Sequence, residues 1–185
     1  MSKSPARVRV AKLPGDRWKE ARALRLEALR TDPGAFGSSF EEEVDRSEQE
    51  WRKRMEGTLY ALSGGKPVGM VSRVFNDRVR TGHIAAIYGV YVTPAHRGRG
   101  VGSLLMERAL SDVRKRRGVV KVQLSVNPES RPALRFYKKF GFEVTGKARN
   151  ELRVGNSFFD MLYMEKAIRK PWRTKSGRRN LFSTP

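Results

Sequence analysis

The stretch Arg97-Gly98-Arg99-Gly100-Val101-Gly102 limits the fold of this sequence most, because a glycine-rich turn of that kind joins a strand to a helix. The apolar residues 83–92 before it are predicted to form a strand buried on both faces. Gly89 inside that run suggests a bulge or a close backbone approach. After the loop, Val101, Leu104, Leu105 and Ala109 mark one face of a helix. It ends in Arg114-Lys115-Arg116-Arg117 and Gly118, cations and a glycine stop at the negative end of the helix dipole. The first turn of a helix leaves N–H groups unpaired and carries partial positive charge, so a loop in this place suits an anion such as a pyrophosphate. Glycines at 98, 100 and 102 allow close approach, and the two arginines add charge.

Two familiar anion loops do not fit. A P-loop closes on Gly-Lys-Ser/Thr, whereas Gly102 is followed by Ser103 with no lysine before it. A dinucleotide fingerprint spells G-x-G-x-x-G at an early strand, whereas this loop reads G-x-G-x-G in mid-chain after three other strands.

The remaining periodicities give the order β-α-α-β-β-β-α-β-α-β-β. Residues 8–13 form a first strand, stopped by Pro14-Gly15. Asp16 is the expected N-cap of a helix carrying Trp18, Ala21, Leu24 and Ala28, and Ser47 with Glu50 caps a second helix over residues 47–55. Residues 35–45 show no clean period. Strands over residues 59–62 and 68–75 flank the turn Gly64-Gly65-Lys66-Pro67. Strict alternation of Val120, Val122, Leu124 and Val126 predicts a strand over residues 119–126. Ala133, Phe136, Tyr137 and Phe140 then recur at helical spacing, Gly141 closes that helix, and residues 142–145 and 158–166 supply two more strands.

Length and composition suit one globular domain: 185 residues, 38% apolar and 31% charged. Cysteine is absent, so disulfides, thiolate metal sites and a cysteine nucleophile are excluded. No apolar run approaches the ~20 residues that span a bilayer, and the first ten residues lack an apolar leader core. These features point to a cytoplasmic protein with no membrane partner, with a domain over residues 1–169 and a flexible basic tail over 170–185. The formal net charge of +20 attracts polyanions, whether nucleic acid, an anionic cofactor or acidic protein. A generally arginine-rich surface with no special partner explains it equally well, because the charge is spread along the chain.

Arg97, Gly100 and Gly102 match the pattern Arg/Gln-x-x-Gly-x-Gly/Ala. Together with Val90-Tyr91-Val92-Thr93-Pro94 before the loop, and Ala133-Leu134-Arg135-Phe136-Tyr137 followed by Phe140-Gly141-Phe142, they make the chain resemble the GNAT superfamily of N-acetyltransferases over residues 8–166. The resemblance implies an α/β (mixed α+β) fold with four helices. Its mostly antiparallel sheet of about seven strands would be splayed between the fourth and fifth. It implies acetyl-CoA as co-substrate, an amine of a small molecule or protein as acceptor, direct attack in a ternary complex, and no metal. Val90, Tyr91 and Val92 would offer backbone groups to the pantetheine arm, and Arg97, Gly98, Arg99, Gly100, Val101, Gly102 and Ser103 would hold the pyrophosphate. Tyr137 looks like the family's general acid for the departing thiolate; the same tyrosine shares a face with core aromatics. Ser130 stands where the family often has Asn, and its hydroxyl can still donate and accept. Asn127, nearby, is a candidate substitute or else a turn residue before Pro128. Homodimers are common in the family.

An alkylammonium of pKa about 10.4 must lose a proton before nitrogen attacks. Family members often carry a glutamate on the strand before the loop, but only His83, Tyr88 and Tyr91 titrate there in this chain. Glu43, beside Glu41 and Glu42, is a candidate base or acceptor-site residue; His83 is another. A different class of function stays open: a GNAT-like module that binds nucleic acid or the ribosome through its basic surface.

Overall fold

The computed structural model describes residues 7–169. The basic tail expected at 170–185 lies outside them. Seven strands form one sheet in the order β1-β2-β3-β4-β5-β7-β6. They are β1 (Arg9–Ala11), β2 (Thr58–Ser63), β3 (Lys66–Phe75), β4 (Ile84–Val92), β5 (Lys121–Val126), β6 (Glu143–Val154) and β7 (Ser157–Ala167). The helices are α1 (Trp18–Thr31), α2 (Phe40–Val44), α3 (Glu48–Met55), α4 (Val101–Lys115) and α5 (Arg131–Lys139). Every strand pairing is antiparallel except β4 with β5. The expected mixed, mostly antiparallel architecture is borne out.

The sheet lies between two helical layers. On one face Leu105, Met106, Ala109 and Val113 of α4 pack against Val71, Ala85, Ile87 and Val122 of the sheet. On the other, Ala21, Leu24 and Ala28 of α1 with Trp51 of α3 pack against Tyr60, Leu62, Met70 and Tyr91. Each large apolar side chain so buried contributes about 1.5–3 kcal/mol.

The parallel pair is short. β4 meets β5 only from Ile84 opposite Lys121 to Ala86 opposite Gln123. Beyond Ala86 the strands part, and a bulge lies inside the parted stretch. Met70 pairs with Tyr91 and Ser72 with Tyr88, so Gly89 and Val90 together oppose Val71. Gly89 has φ +62°, a left-handed conformation in which any side chain is strained. The bulge suggested by Gly89 and the parting of the fourth and fifth strands that the resemblance implies are therefore both present.

Several expectations need correction. Residues 84–92 are not buried on both faces: Tyr88 is 42% exposed, because β4 leaves its neighbour there. Leu104 is exposed too, and the packed face of α4 runs through Val101, Leu105, Met106, Ala109, Leu110 and Val113. Asp16 caps nothing: it lies in a 3-10 turn, Gly15–Arg17, ahead of α1, and no side chain caps that helix. The Gly64-Gly65 pair alone makes the hairpin turn, with φ +54° and +84°, and Lys66 and Pro67 already belong to β3. β6 continues to Val154, so the last hairpin is far longer than residues 142–145 implied. The four expected helices are present among the described residues, and a five-residue helix, α2, lies before α3, fixed by a reciprocal capping box between Ser39 and Glu42. The box expected between Ser47 and Glu50 is present at the start of α3.

Candidate functional site

Where β4 and β5 part, α4 begins. Gly100 is its N-cap at φ +79°, and Gly98 turns the preceding loop at φ +72°. The backbone N–H groups of residues 98–103 donate no hydrogen bond to any described residue. All of these residues except Arg99 border a groove of about 510 Å³, floored by Val90, Tyr91 and Val92 and closed by Pro132 and Phe136 of α5. Gly98, Gly100, Val101, Gly102 and Ser103 line it. A methyl at Gly102 would sit 3.5 Å from the Phe136 ring, an ordinary contact, whereas a larger side chain would enter the groove.

The loop's cations differ in placement. Arg97 lines the groove, its Nε donating to the Val92 carbonyl at 2.9 Å and its guanidinium paired with Asp32. Arg99 is exposed and does not line it. Lys139, from the end of α5, does, and the sequence did not single it out. Its signal was available only as a lysine at the basic end of an amphipathic helix.

A second cavity, of about 620 Å³, adjoins the groove and shares Ala35, Val90, Ser130 and Ala133 with it. Tyr137 and Asn127 line this cavity. Burial pushes the Tyr137 phenol up to about 12, and its hydroxyl has no hydrogen-bond partner among the described residues. It edges against Phe136 and Phe142, so its ring packs with the core while the residue still borders the cavity. Asn127 is engaged locally: its Oδ1 accepts from the Glu129 N–H at 2.9 Å and its Nδ2 donates to the Gly34 carbonyl at 3.4 Å. It ties the end of β5 to the segment after α1. Ser130 borders both spaces at the N-cap of α5.

Glu43 and His83 do not join this group. Glu43 is wholly buried behind the cavity wall. It accepts from Arg25 Nε at 3.1 Å, Arg25 Nη2 at 2.9 Å and Ser38 Oγ at 2.5 Å. Burial alone would raise its pKa, but the bonds from Arg25 and Ser38 and the neighbouring guanidinium charges outweigh it and hold the pKa below the ordinary range. His83 is exposed just before β4, seven residues from Val90, which a strand spreads over roughly 20 Å. The carboxylate that does line the cavity is Glu151 on β6, accepting from the Tyr163 hydroxyl at 3.0 Å. It lies in the part of β6 that the sequence left unassigned.

A helix N-terminus with free amides, set against two parted parallel strands, defines a site for a long, anionic, extended ligand. Residues 21–142 match the model of the acetyltransferase (GNAT) family, and the chain belongs to that family. It is 37% identical over 101 residues to an uncharacterized N-acetyltransferase of Methanocaldococcus jannaschii, covering 54% of this chain and 44% of that one. It is 28% identical over 123 residues to the L-amino acid N-acetyltransferase AaaT of Escherichia coli, covering 64% and 75%. The fold matches an acetyltransferase of the GNAT family from Streptococcus pneumoniae at TM-score 0.78 and 22% identity, over 87% of this chain and 99% of the other. It also matches yncA, a putative acetyltransferase from Salmonella typhimurium solved with its cofactor acetyl-CoA. There the TM-score is 0.78 at 15% identity, over 93% and 100% of the chains. No helix among the described residues is long and apolar enough to cross a membrane.

Proposed function

We propose that the protein is an N-acetyltransferase that moves an acetyl group from acetyl-CoA to a primary amine by direct attack in a ternary complex. The observation that carries this reading is the run of unpaired amides at residues 98–103, set at the mouth of the β4–β5 gap and continuous with the cavity of Tyr137. Those amides, with Arg97 and Lys139, suit a diphosphate by charge and by hydrogen bonding. Past Ala86 the β5-facing edge of β4 has no strand partner among the described residues, so apart from the Val92 carbonyl, which Arg97 engages, it is open to pair with an extended amide-bearing arm as a strand edge pairs with a peptide.

Acetyl-CoA, when bound, supplies an acyl carbon whose bond to sulfur breaks as the bond to the amine nitrogen forms. Tyr137 gives its phenolic proton to the departing sulfur, and the proton shed by nitrogen restores it through water in the cavity. The phenol at about 12 is a weaker acid than an alkyl thiol at about 8.5. A separate transfer to sulfur would therefore run about 5 kcal/mol uphill. Tyr137 acts by a hydrogen bond that strengthens as charge builds on sulfur, and its proton moves only as the ammonium proton is released. Glu151, at the cavity rim, attracts the incoming ammonium and hands its proton to solvent. Glu43 holds the wall in place.

The test mixes the protein with acetyl-CoA and a broad panel of amines and follows free thiol. Turnover of at least one amine is expected; none across the panel would sink the reading. The pH profile gives a second check. With Tyr137 protonated up to about 12, kcat/KM should rise about tenfold per pH unit below the acceptor's own pKa, with no descending limb before about pH 10. A fall between pH 8 and 9 in a stably folded sample would contradict the assignment of Tyr137.

A further inference from the structure

The walls of the 620 Å³ cavity carry charges of both signs, contributed by distant parts of the chain. Arg25 of α1 and Arg54 of α3 line it. Arg25 is 4% exposed; two of its nitrogens are taken by Glu43 and Ser38, but Nη1 is buried and has no hydrogen-bond partner among the described residues. Glu43 is shared further, with Arg54 at 3.5 Å and Arg46 at 3.8 Å. One carboxylate thus faces three guanidinium groups. The surplus is felt at Arg54, whose pKa is lowered first by burial and next by the positive charge of Arg25. A buried charged donor without a partner is costly, and such a group beside a cavity marks where a ligand atom completes it.

The lining also carries a negative charge. Glu151 is the one carboxylate that lines this cavity among the described residues, and Tyr163 donates to it. A polyamine would meet like charge at the arginines. A polypeptide N-terminus would bring its ammonium but no carboxylate close to it. A small zwitterion satisfies both charges.

We infer that the acceptor is a free amino acid, its carboxylate bound by Arg25 Nη1 and the Arg54 guanidinium while its amine lies between Glu151 and Tyr137. The planar fork of a guanidinium matches a carboxylate, which a neutral amide cannot replace. This rests on the acetyl-transfer reading above.

The experiment measures thiol release with the twenty L-amino acids, the α-amide of each, and 1,4-diaminobutane. At least one amino acid is expected to exceed its own amide in kcat/KM by about 10–100-fold, the effect of a hydrogen-bonded charge. Arg54→Gln should raise KM for that amino acid and narrow its advantage over the amide to a few-fold. Amides or the diamine turned over as well as the acids would overturn the inference and leave acetyl transfer standing. An unchanged acid-to-amide ratio in Arg54→Gln would also overturn it. Should that variant fail to fold, the acid-to-amide ratio of the unaltered protein decides. Thiol release with none of these amines, nor with the wider panel, overturns acetyl transfer itself and the inference with it.

Discussion

Glu43→Ala is expected to lower the thermal unfolding midpoint by about 10 °C. Removing one partner of a buried ion pair typically costs about 3–5 kcal/mol, and in a chain of this size each kcal/mol shifts the midpoint by about 2–4 °C. Arg25 would lose both of its bonds to the carboxylate, and Arg46 and Arg54 would lose their counter-ion. The pH dependence follows from the same group. Its folded pKa lies below the ordinary 4.5, so its contribution is complete above about pH 4.5 and is lost as pH falls through the folded value. The wild-type protein should therefore lose stability in acid more steeply than the alanine variant. Melts recorded by circular dichroism between pH 3 and 7 decide this. A midpoint shift below ~2 °C, or parallel acid limbs, would mean that Glu43 does not anchor the wall.

Tyr137→Phe is expected to lower kcat by about 10²–10³-fold while the affinity for coenzyme A stays within a few-fold. The ring packs against Phe136 and Phe142, and phenylalanine keeps those contacts, so the fold should survive. Only the hydroxyl is lost, and among the described residues nothing in the protein uses it. Steady-state thiol release and calorimetry on the same preparation separate the two effects. A variant that turns over within threefold of wild type would show that the sulfur leaves without help from this tyrosine.

The glycine loop between β4 and α4 was legible in the sequence because its information is local. Gly98 and Gly100 hold positive φ where side chains are strained, and Gly102 leaves the groove beside Phe136 free of a side chain. Gly89 announced the bulge for the same reason. Helix α2 was legible in principle, since Ser39 and Glu42 spell the same capping box as Ser47 and Glu50. Its five residues are too short to show a period, so the box went unread. The charged lining of the second cavity was not legible. Arg25, Arg54 and Glu151 come from α1, α3 and β6, and each reads alone as an ordinary charge on a solvated face. Glu43 differs in the opposite way. In the sequence it is a candidate base or acceptor-site residue in a run of three acids, and α2 turns it inward onto Arg25.

The most direct measurement is calorimetric titration of the protein with coenzyme A and, separately, with pantetheine, which has the same arm and thiol but no diphosphate. If the free amides that begin α4 grip the diphosphate, coenzyme A should bind and pantetheine should bind at least about 100-fold more weakly, with the difference shrinking as salt is raised. Equal affinity for the two compounds, or no heat from coenzyme A at all, would contradict it.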